Sequence, residues 1–453
     1  MFKYKRLSIL MLVVAVFAVL SLPAQAQEAT PAATAAEASG VTIPAVKCAQ
    51  PGDLTLRVWD ENWAKTLKAS TAAWIQEYCP GATVTVDQVP WGQYWDQLKT
   101  DASSGDLPDI FNLSQDQFGY YASNDALLDL SPYFAKGGVD PTVWGSGEVD
   151  PYRYGDNKDV YSAPLNWDSI AIFYNKDMFD KAGLAYPTAD WTWDDFAKDA
   201  AALTDSANGV WGASVYNDYQ SGWANWIASA GVAPVATAGR TQCTLTDPAS
   251  QAALTFLQGL VQKGYMPTIS QIGGTNADDE YNLFKSGKLA MYSNGEWQLP
   301  NAVKDITFNW DLVTLPKNPT TGESRSIVHA VGYSVAATSK NPDLAANLVQ
   351  FLVSDEGEKF FADAGGVPPA DPNPALLAEW KNSFGSTKVN IQAFIDALNN
   401  SQGVTTFGEA GDPTTDMITE IFDNNGSVAD ATAKACAAIG PYLNPPATPE
   451  ASS

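Results

Sequence analysis

Fifteen tryptophans and eighteen tyrosines accompany a single histidine, His329, in a chain of 453 residues that carries 51 acidic and 26 basic side chains. Indole and phenol rings cover apolar ring faces while carboxylates and amides accept hydrogen bonds from hydroxyls, so this mixture suits the holding of a polar, ring-shaped ligand better than it suits catalysis. Trp59, Asp60 and Glu61 form one such cluster, at the carboxyl end of the apolar run Leu54 to Trp59, where open parallel sheets place ligands. Asp116 follows the short run Ile110 to Leu113; it can accept two hydroxyl hydrogen bonds, or cap a helix that starts near Gln117. Tyr121, on that helix, either approaches a cleft or supports the helix. Trp223 and Trp226, three apart with Asn225 between them, make either a stacking platform or a core-facing helix side. Trp91 and Trp95, four apart, read as core. His329 reads as a neutral donor rather than a catalytic base or a metal ligand.

Several chemistries lack their motifs. No serine–histidine–acid pattern, P-loop or dinucleotide fingerprint is present. Asp412, Asp416 and Glu420 recur every four residues, which reads as a solvated helix face rather than a calcium site. Neither a metal nor a cofactor is expected. A secreted glycoside hydrolase is the enzyme alternative, since Asp60, Glu61, Asp116, Asp168 and Glu296 could supply a carboxylate pair, but acids are so numerous that finding several carries little information.

Lys3, Lys5 and Arg6 precede the apolar run Leu7 to Leu22 and a small-x-small site before Gln27, which predicts a signal peptide over residues 1–26, with an uncleaved anchor as the competitor. Export to the periplasm or the outer face of the cytoplasmic membrane follows. Residues 27–47, rich in Ala, Thr, Glu and Pro, read as a flexible leader, and 445–453 as a disordered tail. Without residues 1–26 the chain keeps 23 basic against 51 acidic groups, a surface that repels nucleic acid. Cys48, Cys79, Cys243 and Cys436 suit an oxidising compartment and allow three pairings. Cys48 and Cys79 each precede a strand-like run, so adjacent parallel strands can join them, leaving Cys243 for Cys436.

The remaining 400 or so residues suffice for two domains of ordinary size. Strand-like runs at 54–59, 83–86 and 110–113 alternate with helical patterns at 63–78 and 91–103, the rhythm of a parallel sheet with crossover helices. The second region repeats this less regularly, with strands at 170–174, 289–292 and 308–312 and helices at 194–204 and 249–263, and the end of the chain is mostly helical.

A resemblance runs through this pattern. Asp106-Leu107-Pro108-Asp109-Ile110, Asp116-Gln117-Phe118-Gly119-Tyr120-Tyr121-Ala122, Ile172-Phe173-Tyr174-Asn175-Lys176-Asp177, Trp191-Thr192-Trp193-Asp194 and Asn294-Gly295-Glu296-Trp297 stand in the order found in sugar-binding, maltose-binding-like solute-binding proteins of bacterial ABC importers, which the chain resembles. The resemblance implies an α/β fold of two lobes with an interlobe ligand cleft and several hinge crossings: lobe 1 from 48–164 plus 330–367, lobe 2 from 167–327 plus 371–444. It implies a carbohydrate ligand, a di- or oligosaccharide, delivered by a monomer to transmembrane permease subunits without chemistry on the solute. Asn166, Trp167 and Asp168 would then sit beside the first crossing and His329 at the second. Trp297 matches the stacking aromatic of the family, with Glu296 in place of the proline of maltose-type members, a departure that puts maltose itself in doubt. The same fold could instead hold a polyamine, osmolyte or peptide.

Overall fold

The computed structural model describes residues 43–443 apart from 145, 156, 216–217, 274–276, 371–372, 386 and 404–405. The expected signal peptide, residues 27–42 of the leader and the tail 445–453 lie outside the described residues. Two sheets organise the chain. Strand β1 (Asp53–Val58) is followed by α1 (Glu61–Glu77), β2 (Thr83–Gln88), α2 (Trp91–Ser104), β3 (Ile110–Ser114) and α3 (Gln115–Ser123). Next come a small hairpin, β4 (Arg153–Tyr154) and β5 (Asp159–Val160), and then β6 (Ser162–Asp168), β7 (Ile170–Asn175), β8 (Met291–Gly295), β9 (Trp310–Thr314), β10 (Ser326–Val335) and β11 (Ser401–Gly403).

In the first sheet β1 pairs in parallel with β2 and β3, as the alternation of strands and helices predicts. The alternation of side chains along β1 sends Leu54, Leu56 and Val58 to one face, where they meet Leu67 and Trp74 of α1 and Leu348, Phe351 and Leu352 of the helix Pro342–Leu352. Phe111 and Leu113 of β3 face the other way, onto Tyr94, Leu98, Phe118 and Tyr121. α1 starts where Asp60 accepts the Trp63 amide at 2.8 Å, which fixes the direction in which the chain leaves β1.

The second sheet differs from its expected form. Its order is β8-β7-β9, and both pairs are antiparallel. Parallel pairing appears as isolated bridges, among them Trp211 to Leu289 and Ser214 to Tyr292, on a segment with too little apolar alternation to be read as a strand. β7 is buried on both faces: Ile170, Ile172 and Tyr174 point to one core with Trp193, Phe196 and Trp226, and Ala171 and Phe173 to another with Phe284, Tyr292 and Phe394.

β6 and β10 join the two bodies. The ten residues of β10 are all buried; Ile327 lies in the core of the second body, and Val331, Tyr333 and Val335 in the core of the first. β10 runs antiparallel to both β3 and β6, with His329 opposite Asp168 and a bulge between Val331 and Gly332. A side chain at Gly332 would collide with the Ser162 hydroxyl, so the bulge requires glycine.

The leader ends earlier than its composition suggests. Ile43 is buried and its amide donates to Asp355 at 2.9 Å, while Asn347 and Gln350 donate to the carbonyls of Val46 and Pro44, each at 3.0 Å. Side-chain amides of the helix Pro342–Leu352 thus satisfy this stretch, which composition alone reads as unpackable. Both disulfides follow the expected pairing, Cys48–Cys79 and Cys243–Cys436, with Cα atoms 5.3 and 5.6 Å apart.

The bonds close loops of 31 and 193 residues, for which loop entropy predicts stabilisation of about 4 and about 5 kcal/mol respectively. Cys243→Ser/Cys436→Ser is therefore expected to lower the guanidinium unfolding midpoint more than Cys48→Ser/Cys79→Ser; an equal or reversed order would show that local strain or residual unfolded structure dominates.

Candidate functional site

The β6–β10 pairing collects a line of polar side chains where the bodies meet. Asp168, the last residue of β6, is buried and accepts hydrogen bonds from Asn166 Nδ2 and, at 3.2 Å, from Gln220 Nε2 of the second body. The next amide, Ser169, donates to Glu296 Oε2 at 3.0 Å, and the Ser169 hydroxyl donates to the Phe394 carbonyl at 2.8 Å. The Glu296 carboxyl stands close enough to that of Asp168 for each to shift the titration of the other, so two buried acids share one site at the crossing.

On the first-body side, His329 Nδ1 lies 3.2 Å from the Ser114 hydroxyl and Nε2 lies 3.6 Å from Asp116 Oδ1. Asp116 also accepts from the Ser114 hydroxyl and, at 2.6 Å, from Gln117 Nε2. It does not cap a helix starting at Gln117, because α3 already starts at Gln115 and Asp116 stands in its first turn. Its carboxylate is left partly exposed at the junction. Asp116, His329, Asp168 and Glu296 thus form a chain from one body, through both crossing strands, to the other.

Two further carboxyls lie on the second-body side. Asp218 accepts from the amide of Ser221 at 2.7 Å and from its hydroxyl, and Glu280 accepts from the Ser214 hydroxyl. Burial pushes Asp168 and Asp218 above the usual carboxylate range, partly offset for Asp168 by Glu296 and for Asp218 by its bonds to Ser221. Glu296 is pushed well above it, by burial first and then by the charge of Asp168; Glu280 follows by burial, partly offset by Ser214. Glu296 is therefore the member of its pair that keeps the proton.

Trp297 supplies the apolar side. It is half-buried and packs against the cores of both bodies. Its indole lies against Gly295, where any Cβ would come within 1.8 to 2.2 Å of three ring carbons. Trp59 is also half-buried and sits among Trp63, Trp91, Tyr94 and Trp95, with ring centroids 5.1 to 5.6 Å away. Trp91 is not core, contrary to its spacing: it stands 48% exposed at the start of α2, because Tyr94 and Leu98 are the residues by which that helix packs.

Other expected site residues go elsewhere. Trp226 is a correction: at 2% exposure it packs on Trp193, Phe196 and Phe256 in the second body's core, and Trp223 is buried edge-on to Tyr219. Asn225 is used up by the Gln220 and Gly222 carbonyls and the Ile327 amide, so no stacking platform forms there. Tyr121 is fully buried against Phe111 and supports α3. Asp60 is the cap of α1, and Glu61 is exposed and paired with Lys65 at 2.8 Å. Next to them Asn62 Nδ2 reaches Asn301 Oδ1 of the helix Leu299–Asp305 at 3.4 Å, closing one edge of the junction. The backbone of Trp167 pairs with Ala330. Sequence reasoning missed Ser169, Gln220, Asp218 and Glu280. Their only signal was a place near a turn or in an acidic helix, and that signal recurs throughout so acidic a chain.

The family described as bacterial extracellular solute-binding protein matches residues 61–359, and the chain belongs to it. The galactooligosaccharide-binding protein of Bacillus subtilis is 24% identical over 67% of this chain and 70% of its own length. A maltooligosaccharide ABC transporter solute-binding lipoprotein of Streptococcus pneumoniae is 23% identical over 85% of this chain and 87% of its own. Among solved structures, an ABC substrate-binding protein of Listeria monocytogenes in complex with cycloalternan superposes with a TM-score of 0.79 at 25% identity, covering 87% of this chain and 99% of that one. The two-lobed α/β fold and its location outside the cytoplasm, in the periplasm or at the outer face of the cytoplasmic membrane, follow, in keeping with two disulfides.

Because Glu296 binds its proton more tightly in the folded protein than in the unfolded chain, folding takes up protons and stability falls as pH rises from about 4.5 toward its raised value. Glu296→Gln keeps a hydrogen-bond donor for Asp168 but does not titrate. The thermal midpoint of the parent is expected to fall more steeply as pH rises from about 4.5 than that of the variant; parallel profiles would place the titration elsewhere.

Proposed function

We propose that this solute-binding protein holds a di- or oligosaccharide between its lobes and delivers it, as a monomer, to the permease subunits of an ABC importer. The observation that carries the reading is the junction itself: Trp297, bridging both cores, stands beside Glu296 and a polar line of the buried Asp168, Asn166 and His329 and the partly exposed Asp116. A pyranose presents apolar C–H faces to an indole and equatorial hydroxyls to carboxylates and amides, so each part has its partner. Asp116, partly exposed and oriented by Ser114 and Gln117, is the acceptor offered by the first lobe; Asp168 and Asn166 are those of the crossing. His329 holds Asp116 from behind. Trp59 extends the apolar wall along the first lobe toward the exposed Trp91.

Closure would turn on β6 and β10, with the ligand making its full set of contacts only when both lobes engage it, which is how binding shifts the open form to the closed one. Chemistry on the sugar is not part of the reading. A glycosidase keeps its two carboxyls at least about 5 Å apart to admit the scissile bond, whereas Asp168 and Glu296 are crowded enough for each to shift the titration of the other. The curated relatives named for oligosaccharides support the same class of solute.

Calorimetric titration of residues 27–453 with mono-, di- and trisaccharides, spermidine and glycine betaine tests this. Saturable one-to-one binding of an unaltered saccharide is expected; binding of only a non-sugar, or cleavage of the sugar, would sink it. With the saccharide that binds, Trp297→Ala and Asp116→Asn are each expected to weaken affinity roughly 10- to 100-fold, the range set by loss of a stacked face or of a charge-assisted hydrogen bond, without lowering the thermal midpoint by more than a few degrees. Unchanged affinity in both would move the site away from the junction.

A further inference from the structure

Two of the unused atoms at the crossing are acceptors. Asn166 is fully buried; its Nδ2 donates to Asp168, and its Oδ1 has no partner. Glu296, also fully buried, uses Oε2 for the Ser169 amide and has Oε1 without a donor from any other side chain or amide. Both are acceptors. Asp168 lies between them, and Asp116 and Asp218 add carboxyls on the first- and second-lobe sides. Among the described residues no lysine or arginine forms an ion pair with Asp116, Asp168, Asp218 or Glu296. Two buried carboxyls this close do not both ionise readily, so in the free protein Glu296 keeps its proton beside Asp168.

A hydroxyl meets such a place poorly. It donates one hydrogen and brings lone pairs that need donors in turn, whereas an ammonium brings three donors, no acceptor and the charge that lets both carboxyls ionise. Donors do occur beside it: Asn294 Nδ2 and Gln298 Nε2, both buried and unpartnered, flank Glu296 in sequence and suit the lone pairs of neighbouring hydroxyls. The ligand that complements the whole set is a polyol with one basic nitrogen.

Resting on the sugar-binding reading, we propose that the cleft selects an amino sugar, a saccharide with a protonated primary amine, whose ammonium is held by Asp168, Glu296 and the Oδ1 of Asn166. One ammonium enters and the proton kept by Glu296 leaves to solvent, so the charge at the crossing is the same before and after binding. The strongly acidic surface, with a net charge of −25 over the whole chain, raises the local concentration of such a cation.

Residues 27–453 would be titrated with glucose-configured disaccharides linked α-1,4, β-1,4 and α-1,6, each in neutral, 2-amino and 2-acetamido form, in two buffers of different ionisation enthalpy at pH 7. At least one amine form is expected to bind roughly tenfold or more tightly than its neutral and acetylated counterparts, with release of about one proton. Glu296→Gln and, independently, Asp168→Asn are each expected to remove the proton release and reduce the preference below about threefold, with folding checked by circular dichroism. Neutral forms binding as tightly as amines, or amine binding without proton release, would overturn the proposal. Binding by none of the nine would fail the sugar reading itself, and this inference with it.

Discussion

The pairing of β6 with β10 is the constraint on which the rest of the molecule depends. Among the described residues only these antiparallel strands run directly between the two main sheets' cores, and their register places His329 opposite Asp168. Side chains alternate along a strand, so a slip of one residue would turn one of these groups to the opposite face and part the pair. The bulge at Gly332 and the buried apolar residues of the C-terminal half of β10 pin the register on the first-lobe side. The Ser326 hydroxyl, which accepts the Ile170 amide at 2.7 Å, pins it on the other.

Placing several carboxyls at that crossing works against stability, since a buried acid must either keep its proton or find hydrogen bonds. The molecule uses both remedies. Asp218 is held by Ser221 and Asp168 by Asn166 and Gln220, while Glu296 keeps its proton. The conflict is tolerated because the elements on either side are packed on both faces, as in β7, and because each lobe carries a covalent staple. Local rules are broken at the junction and obeyed around it, the usual distribution for a site whose polar groups serve a ligand.

Much of the scaffold was legible in the sequence, and less of the site. Strands β1, β2 and β3 follow from short apolar runs alternating with helices α1 and α2, whose period of 3.6 residues is clear. The antiparallel order of β7, β8 and β9 was not legible, because those strands are buried on both faces and a continuous apolar run carries no direction. Aromatic spacing failed in both directions. Trp226 went to the core, where a large ring fills more volume than any alternative, and Trp91 to the surface, because its neighbours on α2 already satisfied the packing. Asp116, Glu296 and Trp297 were proposed through motif order and Asp168 through its place beside the expected first crossing, whereas Gln220 and Asp218 belong to a short π-helix and its cap, which no apolar periodicity announces.

Trp297 lies against Gly295, with no room between indole and backbone for a methyl group. The two positions are thereby bound in their history. No lineage can leave glycine at 295 while the indole stays down, and once 297 is a smaller residue nothing holds 295 as glycine. Any change at 295 must then pass through position 297 first, and a return to the large ring is barred as soon as 295 has acquired a side chain.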